Sequence, residues 1–473
     1  MTPDDVTNNF PQPVHFVGIG GAGMSGIAMV LTRLGVRVSG SDLKASRYTR
    51  NLEDAGITVN VGHAAENLGA AALVVISSAI PESNPEVRAA RAAGLPVLAR
   101  AEMLARVMTL RRGIAIAGTH GKTTISSMIA HALYQAGCDP TFLVGGELND
   151  IGSNAGVGEG PWLVAEADES DGSLVYLRPE VAAVSNVELD HHANYGCLDD
   201  VRDVFRRFVA PLPPDGLLVL VADSGGEDLC EHTRAAVVLV GIGRGDLQAD
   251  ILSVDDRGSE FIVRAAGEEL ARIALRVPGE HNILNALVAL AVLRHTGLEP
   301  ATVAPHLATF SGAARRFQHM GDAEGVAVVD DYAHHPTEIR ATLQAAKQGE
   351  HGRVIAIFQP HLYSRTRYLQ REFGEALALA DEAIVTDIFP AREEPEPGVT
   401  GKLIVDEYLS ARPGGPVVYI PRINDVTGYL APRLRPGDLV LTMGAGDVSR
   451  AGEQLLAVLA EQGPKRPSAN TVR

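Results

Sequence analysis

The sequence predicts an α/β protein of three consecutive blocks built on parallel sheets. Three observations lead there. Short β-branched apolar runs alternate with Ala- and Leu-rich helical stretches along the whole chain, the rhythm of βαβ units. At 473 residues the chain has room for about three domains of ~150 residues each. Many of the apolar runs end in Gly-rich or polar segments, where open α/β sheets hold ligands.

The first block, residues 1–106, opens on a strand over Val14–Gly18 and has further strands near Val36–Ser39 and Leu73–Ser77. The second, 107–313, starts with the strand Gly113–Ala117. It contains apolar runs at Trp162–Ala165, Val181–Ser185 and Leu217–Val221, and closes with a helix across Ile283–Arg294. Ser311–Arg316 reads as a hinge. The third block, 314–473, has strands at Val326–Val329, Val354–Phe358, Ala383–Thr386 and Leu439–Thr442. Met1–Pro13 and Gly463–Arg473 read as loose tails.

Composition narrows the function. Hydrophobic residues make up 46 % and charged residues 21 %, which excludes a disordered chain. The net charge of −17 argues against nucleic acid or anionic membrane as partners, yet a few local cations still suffice to hold a phosphate. Cys138, Cys197 and Cys230 are far apart and form no CxxC pair, which fits a reducing compartment. No apolar run reaches ~18 residues and no leader pattern opens the chain. The expectation is a cytoplasmic protein, monomer or homodimer.

Two glycine-rich turns carry the chemistry. Gly18, Gly20 and Gly23, with Gly21 between them, match G-x-G-x-x-G after a strand, and Asp42 follows a second strand. Such a turn lets the backbone approach a diphosphate seated on the next helix N-terminus. The motif does not distinguish NAD from a UDP-sugar, and a turn without ligand is the competing reading. The second turn is Gly118-Thr119-His120-Gly121-Lys122-Thr123-Thr124, between a strand and the helix Ile125–Gln135. Its N–H groups can cradle phosphates, Lys122 supplies a cation and the Thr123 hydroxyl a ligand for Mg²⁺. Ile116 occupies the place of the first P-loop glycine, so this is a shorter variant.

Acids cluster just past the next strand at Glu166, Asp168, Glu169 and Asp171. Glu166, nearest the strand, is the best metal-ligand candidate; the other three read equally well as a solvated loop. His191 and His192 also follow a strand, and with no further nitrogen or thiolate nearby they favour Mg²⁺ or phosphate over zinc. Asn282 and Asn285 open a helix and suit a purine edge, with helix capping as the alternative. Arg315 and Arg316 sit at the hinge, where an Arg can swing onto phosphate or form an exposed ion pair. In the third block Asp331, His334, His361 and Arg365 follow strands and predict a pocket for an anionic substrate; Gly444–Asp447 closes the last strand.

Taken in order, Gly-Ile-Gly-Gly-Ala-Gly-Met-Ser-Gly-Ile-Ala, Gly-Thr-His-Gly-Lys-Thr-Thr, Glu-Ala-Asp-Glu-Ser-Asp, His-Asn-Ile-Leu-Asn-Ala, Asp-Asp-Tyr-Ala-His-His-Pro and Gln-Pro-His-Leu-Tyr-Ser-Arg-Thr resemble the Mur ligases of bacterial cell-wall synthesis. The resemblance implies a Rossmann-like UDP-binding domain, a central P-loop-type ATPase domain and a C-terminal Rossmann-like domain. It implies an ATP- and Mg²⁺-dependent ligase joining L-alanine to the lactyl carboxylate of UDP-N-acetylmuramate through an acyl phosphate. Gly18, Gly20, Gly21 and Gly23, with Asp42 and Ser77, would hold the UDP-sugar. Gly118, Thr119, Gly121, Lys122, Thr123 and Thr124 would hold ATP phosphate. Thr123, Glu166 and His191 would form the metal site. Asn282 and Asn285 would lie at the adenine, and Arg316 and Asp331 would reach ATP across the hinge. His334, His361 and Arg365 would meet the muramoyl carboxylate and the amino acid. Lys122, His191 and Arg316 would be catalytic, His191 as candidate general base.

Two positions depart from the family pattern. Leu362 stands where a basic residue is common, which puts one substrate contact in doubt, and Ala333 stands where Gly is common. No Lys occurs between Cys197 and Val240, so a carbamylated lysine is not invoked. A ligase adding a recycled tripeptide to the same UDP-sugar, a nucleotide switch and a nicotinamide-dependent oxidoreductase are the alternatives.

Overall fold

The computed structural model describes residues 10–462 apart from 78, 193 and 392; the expected tail Gly463–Arg473 and most of the N-terminal one lie outside these. The first sheet contains β1 (Val14–Val17), β2 (Val38–Asp42), β3 (Thr58–Val61), β4 (Leu73–Ile76) and β5 (Val97–Ala99), in the order β3-β2-β1-β4-β5. All its pairs are parallel. Central β1 is buried along its whole length, as a strand covered on both faces must be. Helix α1 (Ala22–Arg33) leaves β1 through the first glycine turn.

The second sheet has ten strands. Its parallel centre holds β6 (Arg112–Ala117), β9 (Trp162–Glu166), β10 (Val181–Val184), β11 (Leu217–Val221) and β12 (Ala236–Ile242). At one edge β7 (Thr141–Leu148) pairs with β9 in parallel and with β8 (Ser153–Gly156) antiparallel. The other edge is a meander of β13 (Leu247–Asp255), β14 (Gly258–Ala265) and β15 (Glu268–Leu275). Helix α2 (Lys122–Gln135) follows the second glycine turn, and α3 (Glu280–His295) is almost wholly buried after its first turn.

The third sheet contains β16 (Gln318–Ala323), β17 (Val326–Asp331), β18 (Val354–Phe358), β19 (Glu382–Val385), β20 (Val417–Tyr419) and β21 (Leu439–Met443), in the order β16-β17-β21-β18-β19-β20. Only β16 runs antiparallel to its neighbour. Alternation along β18 places Ile355 and Ile357 in one apolar layer and Val354, Ala356 and Phe358 in the other. Helices α4 (Pro336–Lys347) and α5 (Tyr363–Leu377) cover the Phe358 side, where Ile339, Leu343 and Phe373 are fully buried.

One expectation changes. The parallel rhythm missed the antiparallel pieces, where the two-residue connections Asp256-Arg257 and Ala266-Gly267 join half-exposed alternating strands. The unit boundary falls inside the segment expected as a hinge. The chain divides into two compact units, the first containing the first two sheets and ending at Ala314, the second running from Arg315 with two short earlier segments. Ser311–Ala314 is fastened within the first unit: Ser311 donates to Asp150 through its hydroxyl (2.5 Å) and N–H (3.2 Å), and the Ala314 N–H to the Glu147 carbonyl at 2.9 Å. No helix among the described residues is long and apolar enough to cross a membrane.

Candidate active site

The second glycine turn is assembled at the C-terminal end of β6. Gly118 has φ +124°, and a Cβ there would lie 2.1 Å from Ser185 Oγ and 2.8 Å from Ser185 N, so no side chain fits. The strand end of β10 laces the turn in place. The His120 N–H donates to Asn186 Oδ1 at 2.8 Å, the Thr119 N–H to the Asn186 carbonyl at 3.1 Å, and the Glu188 N–H to Thr119 Oγ1 at 2.9 Å. Beyond this lacing, the N–H groups of Gly121, Lys122, Thr123 and Thr124 have no acceptor among the described residues. They open α2, whose N-cap Gly121 is left-handed at φ +81°. Four open N–H groups at a helix start form an electropositive cradle.

Lys122 is half-buried at the neck of this cradle. Its Nζ donates to the carbonyls of Gly118 (2.6 Å) and Thr119 (3.1 Å) and to Glu169 Oε2 (2.7 Å). Burial alone would lower its pKa, but the charges of Glu169, Asp168 and Glu166 overcome that and raise it, so the ammonium is kept. Thr123 Oγ1 donates to Glu166 Oε2 at 2.9 Å, and the Gly145 N–H donates to the same oxygen at 2.9 Å. Thr123 and Glu166 are therefore brought together. His191 is placed against Glu169 instead, with Nε2 at 3.5 Å from Oε1, on a left-handed backbone at φ +55°.

Glu169, left open in the sequence as a solvated acid, is buried and touches both Lys122 and His191. Its Oε1 has no hydrogen-bond partner among the described residues. The Tyr195 hydroxyl donates to its carbonyl, and burial with the neighbouring acids pushes that phenol up to about 12. The donor set of Thr123, Glu166 and the unsatisfied Glu169 oxygen is all oxygen, the chemistry that Mg²⁺ prefers. Asn285 Oδ1 lies 2.8 Å from where a Cβ on Gly121 would stand, and Asn285 Nδ2 donates to Asn282 Oδ1 at 3.0 Å. This amide pair sits beside the open N–H groups of the turn. Its helical placement was legible; its contact with Gly121 was not.

The first glycine turn is organised differently. The N–H groups of Gly18 and Ile19 donate to the Ser41 carbonyl at 2.9 and 3.0 Å, and that of Gly20 donates to Asp42 Oδ2 at 2.8 Å. Asp42 thus braces the turn through one carboxylate oxygen. The N–H groups left open are those of Ala22, Gly23 and Met24, in the uncapped first turn of α1. Arg100 supplies a cation here that the motif did not reveal. A Cβ on Gly23 would meet its Nη1 at 3.2 Å, and its Nη2 reaches Asp168 at 3.4 Å. Burial would raise Asp168, but Lys122 and Arg100 hold it below the ordinary carboxylate range. Ser77 ends β4, and its N–H donates to the Val17 carbonyl at 3.3 Å.

In the second unit, adjacent arginines are used oppositely. Arg315, with φ +61°, donates to Asp330 (2.8 Å) and to the carbonyls of Gly444 (2.8 Å) and Gly446 (3.1 Å). It is a brace that holds the Gly444–Gly446 loop. Arg316 is 3.7 Å from Glu338 and 5.3 Å from the centre of the Tyr332 ring. Asp331 accepts from the N–H groups of Phe317 (2.8 Å) and Ala333 (2.7 Å); burial lifts its pKa to about 6 despite Arg316.

His334, His361 and Arg365 do converge. The two rings meet edge to face with centroids 5.8 Å apart, and Arg365 Nη1 lies 3.2 Å from His361 Nδ1. Phe389 stacks on His361, and Glu338 holds His334 Nδ1 at 3.2 Å. Leu362 is buried at φ +70° and heads α5, so it is a packing residue at the base of this cluster.

The chain belongs to the Mur ligase family. Three models match in order: the Mur ligase family catalytic domain over residues 13–112, the middle domain over 116–293 and the glutamate ligase domain over 315–446. It is 51 % identical to the UDP-N-acetylmuramate–L-alanine ligase of Rubrobacter xylanophilus, covering 94 % of this chain and all of that one. It is 46 % identical to the enzyme of the same name from Desulforamulus reducens, covering 95 % and 98 %. Among solved structures it resembles the UDP-N-acetylmuramate–alanine ligase of Thermotoga maritima, with TM-score 0.81, 30 % identity and coverage of 95 % and 99 %. The murein peptide ligase of Psychrobacter arcticus gives TM-score 0.71 and 28 % identity over 94 % and 98 %.

Proposed function

We propose that this protein joins L-alanine to the lactyl carboxylate of UDP-N-acetylmuramate with hydrolysis of ATP to ADP and phosphate, in the cytoplasm, as a step of peptidoglycan precursor synthesis. One observation carries the reading. A half-buried, charged Lys122 stands at the neck of an open N–H cradle, beside the Thr123–Glu166 pair. It does so in a chain about half identical, end to end, to ligases of that name.

The chemistry brings a weakly nucleophilic carboxylate against a polyanion, so charge neutralisation and alignment dominate. The lactyl carboxylate attacks the γ-phosphorus, ADP leaves, and an acyl phosphate forms. The alanine amine attacks the acyl carbon and the tetrahedral intermediate expels phosphate. The N–H groups of Gly121–Thr124 and the ammonium of Lys122 hold the ATP phosphates where charge develops. Gly118 and Thr119 shape the loop, and Asn282 and Asn285 contact the nucleotide. A magnesium ion held by Thr123, Glu166 and His191 would neutralise phosphate charge. Arg316 is assigned to the transition-state charge and Asp331 to the ATP site. His191, oriented by Glu169, is the candidate to take the proton that the alanine ammonium must lose when the imidazole is not a ligand of the magnesium ion.

The UDP-sugar is assigned to the first turn, through Gly18–Gly23, Asp42 and Ser77, with Arg100 as added cation. His334, His361 and Arg365 recognise the carboxylates of the muramoyl group and of alanine. The working domain boundaries fall after Arg106 and Ala313. The test is a ligation assay with UDP-N-acetylmuramate, ATP and Mg²⁺, offering L-alanine or the tripeptide as acceptor. Product from L-alanine is expected; ligation of the tripeptide alone, or hydride transfer to NAD, would overturn the reading.

A further inference from the structure

The first domain contains a buried carboxylate that none of the chemistry above uses. Glu86 lies in the first turn of the helix Pro85–Ala92 and is completely buried. Five donors surround its two oxygens. Oε2 accepts from Ser41 Oγ at 2.6 Å and lies 3.1 Å from His15 Nε2. Oε1 accepts from Asn67 Nδ2 at 2.7 Å and the Ala64 N–H at 3.1 Å, and lies 3.3 Å from His63 Nδ1. A buried carboxylate is tolerated only when donors replace its lost water. Here burial would raise the pKa, but bonds from His15, Ser41 and Asn67 bring it down to about 2, so the charge is retained.

The network ends on the substrate turn. Ser41, whose hydroxyl Glu86 holds, offers its carbonyl to the N–H groups of both Gly18 and Ile19. Asp42, the next residue, holds the Gly20 N–H. Gly40, the residue before, has no room for a side chain: a Cβ would lie 2.5 Å from Ile19 Cδ1 and 2.7 Å from the Phe16 carbonyl oxygen. The end of β2 is therefore a template pressed against the turn, and Glu86 clamps that template from below. His15 enters the same clamp from β1, three residues before the turn.

We infer that Glu86 is a positioning residue for the UDP-sugar: through Ser41 it sets the shape of the Gly18–Gly23 turn without touching the ligand. This rests on the assignment of the first turn to UDP-N-acetylmuramate. A glutamine at 86 keeps the size but replaces one acceptor oxygen with an NH₂ group, which must then face at least two of the five donors. The β2 end loses its anchor, and the turn loses its preset shape.

The test is steady-state kinetics on Glu86→Gln and on the milder Ser41→Ala, in the full-length enzyme, below the melting temperature of each variant. Glu86→Gln should raise KM for UDP-N-acetylmuramate at least about tenfold, and Ser41→Ala about threefold. KM for ATP should stay within about twofold in both, because the second turn is built on a different strand. A purely structural role would lower melting temperature and active fraction while leaving the substrate KM alone. Unchanged KM for the UDP-sugar in folded Glu86→Gln, or a parallel rise of both KM values, overturns the inference. If Glu86→Gln does not fold, an unchanged KM in Ser41→Ala does so. Failure of the wild-type enzyme to saturate with UDP-N-acetylmuramate would instead overturn the assignment of the turn.

Discussion

The two glycine-rich turns share one plan, a parallel strand leading through glycines into a helix, yet they distribute their N–H groups differently. In the first turn Gly18, Ile19 and Gly20 give theirs to Ser41 and Asp42, and only the start of α1 is left open. In the second, Thr119 and His120 are tied to Asn186, and the next four N–H groups are left open. The cations differ too. Lys122 lies inside its own motif, whereas the first turn takes Arg100 from just past β5. A turn that binds a diphosphate as a fixed handle can be rigid. A turn that must follow a phosphate being transferred needs open donors and a cation that can change partners. The same contrast recurs at Arg315, tied to three oxygens, and Arg316, held by a 3.7 Å ion pair and the face of Tyr332.

The largest expected effect is at the second turn. Lys122→Ala should cut turnover by about 10²–10³, as for loss of one transition-state donor, while circular dichroism shows an intact fold. Near-normal turnover would remove the distinction between the turns. The arginines sharpen it next. Arg316→Ala should lose at least about tenfold in kcat with little change in ATP KM, the mark of a contact made in the transition state. Arg316→Lys should recover this only in part, since Lys lacks the planar fork. Arg315→Ala should instead lower unfolding free energy by about 1.5–3 kcal/mol in denaturant titration; equal kinetic and stability effects in both variants would erase the contrast.

Glycines give a smaller, steric version. Gly118→Ala should cost about 1–3 kcal/mol of stability, because its Cβ would enter Ser185 at a positive φ. Gly21→Ala, with its nearest atom at 3.8 Å and an ordinary φ of −71°, should stay within about 0.5 kcal/mol. Similar losses in both would mean that the first turn is packed as tightly as the second.

The smallest effect is a pH slope at Asp331. Its folded pKa of about 6 exceeds the ordinary 3.8, so the folded state binds the proton more tightly than the unfolded one. This group should favour folding most below pH ~4 and lose that contribution as pH rises through about 6. Asp331→Asn should flatten the stability profile in that window; an unchanged profile would show that Asp331 is not desolvated in solution.

The strand–turn–helix units, both glycine turns, Lys122, Thr123 and Glu166 were legible because local patterns define them. Glycine spacing, an apolar run and a helix start lie within about ten residues of one another. The His334–His361–Arg365 cluster was legible for a related reason, since residues just past the C-terminal ends of parallel strands in one sheet gather on one side of it. Glu169 was not, because an acid in a polar loop looks the same buried or solvated. Nor were the edge hairpins, whose half-exposed strands lack the solid apolar runs of the parallel centre.

By itself the sequence determined the α/β class, the order of the domains and the residues of the two glycine turns. These follow from periodicity and from glycine's backbone freedom, which are properties of a short segment. Only the tertiary structure decided which charges are tied off and which stay open. Asp42 became a brace, Arg315 a strut, Glu169 the partner of Lys122 and His191, and Arg100 the cation of a turn far from it in the chain. A charged group's role depends on its burial and its nearest partners, and both are set by chain segments tens of residues away.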